Sequence, residues 1–373
     1  MIGAKSWFSD SRTGPGSNGY SAVVLSSHTE ILQLRDVASQ LMRQEDPMLA
    51  PDFFLASLSK GWWPRVVVVC HEREAVAIMY TKERTLYGIP TGIVYSDGGL
   101  GSVLLANPSH HQNAFSFAVE VLLASPGIRG LRLEVARAGE ELEAVRRLSA
   151  SRPVHSHYSR IEYHDFPLGK THAHLHLADS YDQFLAGLGY TTRHNFRYYR
   201  RRFEASGHKF EEHLSIDELR SAAFNLRPKS KLTAQRQQAK FERDLNMVAA
   251  VSQPIAVGLK HRNGEWLSVI GGWYRPSGAV LCFQCNNERD YGPDSLSVVL
   301  RAYLIELLIR QRAEELVIWH DTRPPLSRYA AYVPMIGVRL DLPTYLWRGV
   351  RWLVSMVGPR LPRRLATNAR WIA

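Results

Sequence analysis

Two stretches of this chain repeat one plan, and that duplication limits the fold more tightly than any single residue does. The clearer copy reads as strand 254–260, a turn at Asn263-Gly264, strand 266–274, a turn at Pro276-Ser277-Gly278 and strand 279–286. Those turns carry the residues that tight hairpins demand. A loop over 288–294 then opens a helix running from 295 to about 312, and 315–320 supplies a last short apolar strand. The looser copy has strands near 65–70, 74–82 and 90–96, a loop through Pro108, a helix near 112–124 and a strand at 129–135. Hairpin strands, one crossover helix and a further strand make a mixed, mostly antiparallel sheet flanked by helices. Two such copies in tandem predict an α/β (α+β) fold.

At 373 residues, 45% hydrophobic and 22% charged, the chain can bury two ordinary cores. Three cysteines (Cys70, Cys282, Cys285) are too few for a disulfide scaffold and point to a reducing compartment. Cys282 and Cys285 match C-x-x-C, yet on a regular strand residues three apart face opposite ways, which argues against a redox or zinc pair. No apolar run approaches the about 20 residues that span a bilayer. The Ser/Gly-rich start lacks the charged-then-apolar order of a secretion signal. The expected organisation is a mobile arm (1–22), an N-terminal domain (23–165), a C-terminal domain (166–343) and a basic amphipathic tail (344–373), in a cytoplasmic protein.

Between these landmarks, 28–60 reads as helical with a break at Pro47 and Pro51, 139–149 as a charged helix, and 151–178 as strands joining the halves. Ser180 is placed to cap a helix carrying Phe184 and Leu185, and a basic helix over 191–206 ends at Gly207. Residues 217–250 read as mostly helical with a break near Pro228, and 321–345, with four prolines, as irregular.

The net charge of +11 favours anionic partners, and its clustering says where. Arg193, Arg197 and Arg200 recur at i, i+4, i+7 on the basic helix, while Phe196, Tyr199 and Phe203 share the face that should pack on the core. Tyr291, Gly292, Asp294, Ser295 and Leu296 lie between a strand and a helix start, where unpaired backbone N–H groups and a partial positive charge suit a pyrophosphate; an ordinary capped turn would look the same. Gln284 and Asn286, alternate residues on the preceding strand, can hydrogen-bond a ligand or face solvent. His320 and Asp321 follow the last strand, with Tyr329 close behind, and could serve as bases and acid near neutral pH. His172, His174 and His176 alternate on one strand face, but no fourth ligand is spaced for a metal, and none is expected. The tail, with six arginines and no acid over 345–373, suits an anionic membrane surface or docking on its own protein.

The segment Tyr181-Asp-Gln-Phe-Leu-Ala-Gly-Leu, with Thr192-Arg-His-Asn-Phe-Arg-Tyr-Tyr-Arg-Arg-Arg-Phe-Glu-Ala-Ser-Gly207, resembles a signature of GNAT-type acetyltransferases of the cellulose-biosynthesis-like group, relatives of the Fem-type aminoacyltransferases. Tyr291-Gly-Pro-Asp-Ser-Leu-Ser-Val-Val-Leu-Arg-Ala-Tyr, with Glu315-Leu-Val-Ile-Trp-His-Asp321, is similar to that group's cofactor-side half, and Asp46-Pro47 and Gly61-Trp62 fit its opening. The general pyrophosphate signature of the superfamily, Arg/Gln-x-x-Gly-x-Gly/Ala, is absent, and 291–296 holds its place with one glycine.

The resemblance implies two tandem GNAT-like domains, with acetyl-CoA or another acyl-CoA bound mainly by the second. It also implies direct transfer to an amine or hydroxyl of an envelope, polysaccharide or small-metabolite acceptor. On that reading Gln284 to Leu296 hold the cofactor, the arginines at 193, 197 and 200 bind the anionic part of a substrate, and His320, Asp321 and Tyr329 move protons. Two alternatives stay open: a Fem-type enzyme using aminoacyl-tRNA, the one case calling for nucleic acid, and a degenerate fold serving as a membrane-associated assembly protein.

Overall fold

The structure is a computed structural model, and it describes residues 19–42, 46–96, 104–137, 139–150, 161–168, 172–226, 234–287, 295–319 and 326–342. The first elements are β1 (Tyr20–Leu25), α1 (His28–Leu32), α2 (Arg35–Leu41), α3 (Pro51–Ser57), β2 (Trp62–His71), β3 (Glu74–Leu86) and β4 (Ile89–Ser96). β5 (Leu104–Ala106), α4 (His111–Ala124), β6 (Gly130–Ala136), α5 (Glu140–Ala150) and β7 (Glu162–Pro167) follow. The later run is β8 (Ala173–His176), α6 (Tyr181–Gly187), α7 (Tyr190–Ala205), β9 (Lys209–Glu211), α8 (Ile216–Leu226) and α9 (Ala234–Ala249). It closes with β10 (Pro254–Lys260), β11 (Trp266–Arg275), β12 (Gly278–Asn286), α10 (Leu296–Arg310), β13 (Glu315–Ile318), β14 (Ala331–Tyr332) and β15 (Met335–Asp341).

Two compact units result, and neither is continuous in sequence. The first holds 1–26, 63–167 and 336–373; the second holds 27–62 and 168–335. The helices α1 to α3 thus belong with the second unit, and β15 belongs with the first, unlike a simple division at 165.

The first unit is built on a sheet of order β1-β2-β3-β4-β6-β15-β7, with β5 beside β3. β2 contributes Val66 to Val69, none of them exposed, as expected of β-branched residues covered on both faces. The β3–β4 hairpin closes through Tyr87 and Gly88, both at positive φ, a pairing that matches the twist of the strands. α4 crosses over so that β4 and β6 run parallel, Ile93 opposite Gly130 and Tyr95 opposite Arg132. The strand β15 corrects the reading of 321–345 as irregular: Pro334 and Pro343 bracket it rather than break it, and it inserts between β6 and β7. Arg132 of β6 and the buried Asp341 of β15 lie 2.8 Å apart as an ion pair within that sheet.

The second unit repeats the plan in a sheet of order β14-β8-β13-β12-β11-β10-β9. β10, β11 and β12 form an antiparallel meander, and α10 carries the chain across to a parallel β13. α10 is apolar nearly all round (LSVVLRAYLIELLIR) and buries nine of its residues, as a helix wedged between a sheet and further helices must. Its partners in the core are Phe184 and Leu185 of α6 and Phe196 and Phe203 of α7. Ser180 caps α6 by accepting the Gln183 N–H at 3.2 Å, as expected. Gly207 sits at φ +73°, the left-handed conformation that ends α7.

Candidate functional site

The feature that sets the second sheet apart lies where the pairing of β12 with β13 ends. The two strands pair in parallel only from Gly278/Glu315 to Leu281/Ile318, and β12 continues to Asn286 bonded to β11 alone among the described residues. A β-bulge lies at the same place: Gly271 faces Phe283 and Gly272 faces Leu281, so Cys282 is the extra residue. A bulge bends its strand and increases its local twist. Gly271 and Gly272 permit it. A Cβ on Gly271 would lie 2.5 Å from the Phe283 ring, and one on Gly272 would strike the Val280 carbonyl oxygen.

Two hydrogen bonds fix which way the bulged strand faces. The Trp319 N–H donates to the Leu281 carbonyl at 2.8 Å, so the peptide groups of Leu281 point toward β13. The Asn287 N–H donates to the Leu267 carbonyl of β11 at 2.8 Å, so Asn287 points the opposite way. Simple alternation over those six positions would give both residues the same direction; the extra residue restores agreement. Gln284 and Asn286 therefore turn their N–H and C=O groups away from β11, toward the side on which β13 pairs with Gly278–Leu281.

The same bulge corrects the expectation for the cysteines. Cys282 and Phe283 both point to α9, the thiol toward the Asp244 carbonyl at 3.9 Å and the ring against Phe241 at 5.2 Å. Cys285, paired with Val269, shares that face, so the two cysteines are on one side of the sheet and not on opposite sides. Burial pushes the Cys282 thiol well above the usual range, the opposite of what a reactive thiol needs.

Gln284 and Asn286 turn their side chains toward α10, where they join a hydrogen-bonded row. Arg301 Nε donates to Gln284 Oε1 at 2.9 Å, Gln284 Nε2 donates to Asn286 Oδ1 at 3.1 Å, and Ser268 Oγ donates to the same oxygen at 2.5 Å. Sequence reasoning singled out Gln284 and Asn286 but missed Arg301 and Ser268. The available signal was the cation in the middle of the apolar run of α10.

Ser295 opens α10 in the left-handed region (φ +47°, ψ +47°), a conformation that costs a residue with a side chain about 1 kcal/mol or more. Its hydroxyl makes no cap hydrogen bond, so the expectation of a serine cap is not met. The carbonyl of Ser295 instead takes the N–H groups of Val298 and Val299 at 2.8 and 3.1 Å. The amides of Leu296 and Ser297 then head the helix, where its dipole is positive. Tyr291, Gly292 and Asp294, the other expected cofactor residues, lie outside the described residues.

Of the expected proton-transfer groups, His320 and Asp321 also lie outside them. Tyr329 follows a short turn at Leu326–Arg328 and meets the start of α7. Its oxygen accepts the Gly189 N–H at 2.8 Å and bonds the Thr192 hydroxyl. The Thr192 hydroxyl first, and then the Gly189 amide, hold the phenol below the usual tyrosine range.

The expected arginines divide. Arg200 is bound within its own unit: 2.8 Å from Glu306 of α10, 3.0 Å from Glu204, and 4.3 Å over the Tyr303 ring. Arg197 lies 3.7 Å from Asp182, with both side chains half or more exposed, a separation worth little in water. Arg193 has no side-chain partner among the described residues. Beside it on α7, Tyr190, His194 and Tyr198 stack at 6.2 and 6.0 Å on the exposed side. Phe196 and Phe203 are buried and Tyr199 partly so, as the periodicity required.

His172 lies against Trp319 at 4.7 Å and His174 is bonded to Glu315 at 2.8 Å; no group of three metal-ligating side chains comes together among the described residues. In the first unit, the residue before α4 is His110, whose ring is bonded to Tyr20 Oη at 2.8 Å and lies 4.9 Å from His71. That helix start is faced by its own side chains.

No family model matches the sequence, and no curated protein does either. Solved structures match the fold. The crystal structure of FemX aligns over 86% of this chain and 97% of its own, at 10% identity and a TM-score of 0.54. The C-terminal domain of a putative lysylphosphatidylglycerol synthetase from Agrobacterium fabrum aligns over 84% and 92%, at 13% identity and 0.51. A tandem GNAT protein of the clavulanic acid pathway aligns over 86% and 98%, at 12% identity and 0.46. The fold, two mixed sheets each flanked by helices, is shared with FemX and with the synthetase domain.

Proposed function

We propose that this protein transfers an acyl group from an acyl-CoA, with acetyl-CoA as the reference donor, directly to an amine or hydroxyl acceptor. The carrying observation is the edge of β12 beyond Leu281, where the Gln284 and Asn286 peptide groups face away from β11 and pair with no other strand among the described residues. Such an edge takes an extended chain of amides as an added strand, and the pantetheine arm of coenzyme A is one. The α10 start lies at the end of that edge and suits the pyrophosphate, with Tyr291, Gly292, Asp294, Ser295 and Leu296 assigned to it.

In the reaction the acceptor nitrogen or oxygen attacks the thioester carbonyl, the carbon–sulfur bond breaks, and coenzyme A leaves as thiolate. A cleft-side N–H of Gln284 or Asn286 stabilises the developing oxyanion. His320 or Asp321 takes the acceptor proton. Tyr329 gives a proton to the thiolate, a step its lowered pKa assists. Arg193 and Arg197 are left to meet the anionic part of an envelope, polysaccharide or small-metabolite acceptor, and the basic tail to meet an anionic membrane surface.

The test is thermal unfolding of the full chain with acetyl-CoA, longer acyl-CoAs and free coenzyme A. A donor at one hundred times its Kd stabilises by about 2.7 kcal/mol. No stabilisation by any of them defeats the reading. One observation favours a second donor: the exposed face of α7, with its arginines and three aligned rings, fits the Fem-type use of aminoacyl-tRNA. Binding that falls by orders of magnitude between low and moderate salt identifies that donor.

A further inference from the structure

An amide side chain has two ends of nearly the same shape, so its neighbours decide which end points where. A guanidinium can only donate, and Arg301 Nε lies 2.9 Å from the Gln284 amide, which must therefore present Oε1 to it. The other end of Gln284 lies 3.4 Å from the Ser297 carbonyl oxygen, an acceptor that requires Nε2. Gln284 is thus fixed from both sides. Its Nε2, 3.1 Å from Asn286, then requires Oδ1 of that residue, and the Ser268 hydroxyl at 2.5 Å fills the second lone pair. What remains is Asn286 Nδ2. It has two N–H groups, no partner among the described residues, and a half-exposed position at the end of β12.

We propose that Arg301 is a positioning residue whose charge, relayed through Gln284, holds Asn286 with Nδ2 presented as a donor to a ligand oxygen. The ligand chemistry is an uncharged carbonyl or a phosphoryl oxygen. On the acyl-CoA reading, on which the ligand's identity rests, these are a pantetheine amide or the pyrophosphate. The row resolves a choice that Asn286 alone would leave to chance, since a flipped amide would offer an acceptor to an acceptor. Arg301 stays charged despite its burial, because a guanidinium lowered somewhat from its usual range is still protonated near neutral pH.

The orientation is tested without ligand by following side-chain amide proton exchange in the full chain, labelled with nitrogen-15 at glutamine and asparagine. The Gln284 amide protons should exchange about tenfold or more slowly than those of Asn286, and Arg301→Met should abolish the difference; the reverse order overturns the proposal. Affinity then tests the role. Asn286→Ala and Arg301→Met should each weaken acetyl-CoA binding by roughly 3- to 10-fold, about one net hydrogen bond, and the double variant no further. Arg301→Lys, which keeps a cation without an acceptor, should restore most of the affinity. Losses that multiply in the double variant, with no rescue by lysine, assign Arg301 a general packing role and overturn the proposal. S-acetylpantetheine separates the two oxygens: an Asn286→Ala penalty retained with it selects the amide carbonyl, and one lost selects the pyrophosphate. If the wild type binds no acyl-CoA but shows the expected exchange order, the donor reading falls and the relay stands.

Discussion

Deleting Cys282 should straighten β12 without changing the direction of anything beyond it. The bulge makes Cys282 and Phe283 share one face, so a chain lacking Cys282 passes from Leu281 to Phe283 in regular alternation, and Gln284 and Asn286 keep their faces. The cost is one small buried side chain, about 1–2 kcal/mol, against which a more regular β11–β12 ladder returns about 0.5–1.5 kcal/mol. Net stability should therefore change by no more than about 1.5 kcal/mol in urea unfolding of the full chain. The bend, however, would be gone, and with it the shape of the edge that the donor needs. Loss of two or three peptide hydrogen bonds at about 1 kcal/mol each corresponds to a Kd for acetyl-CoA raised by roughly 30- to 150-fold in titration calorimetry. A deletion variant that folds as well as the wild type and binds acetyl-CoA equally tightly would refute the link between bulge and cleft.

Tyr329→Phe should lower kcat by about 10- to 100-fold with KM nearly unchanged, because the hydroxyl acts on the leaving thiolate and not on binding; an unchanged kcat removes Tyr329 from the chemistry. In the first unit, Glu141 hydrogen-bonds His111 at 2.9 Å and raises its pKa, while His111 lowers that of Glu141. A raised histidine contributes stability that is complete below its unfolded value, about 6.5, and is lost as pH rises through the folded value; a lowered carboxylate contributes above about 4.5. The difference in unfolding free energy between wild type and His111→Gln should be near 1 kcal/mol at about pH 5.5 and shrink as pH rises past about 6.5 and through the raised folded value. A pH-independent difference would show that the pair is not ionised.

What the sequence displayed was what local chemistry decides. The Asn263-Gly264 turn, the Ser180 cap and the Gly207 helix end are each settled by a few adjacent residues, and each stands where expected. β15 was hidden because its neighbours, β6 and β7, lie far back in the chain, and prolines at both ends looked like disruption. The capture of Arg200 by Glu306 spans a similar gap, so a run of arginines gave no sign of which one was engaged. The bulge left no mark in the pattern of β12 itself. Its trace lies opposite, in the paired glycines 271 and 272, which a reading of one strand at a time passes over.

Amide hydrogen exchange of the full chain with and without saturating acetyl-CoA tests the donor cleft directly. Slowed exchange in peptides covering 282–286 and 295–299, with 93–95 and 111–115 of the first unit unchanged, is the expected result. Protection confined to the first unit, or absent from the 282–286 edge while acetyl-CoA is demonstrably bound, would contradict the account.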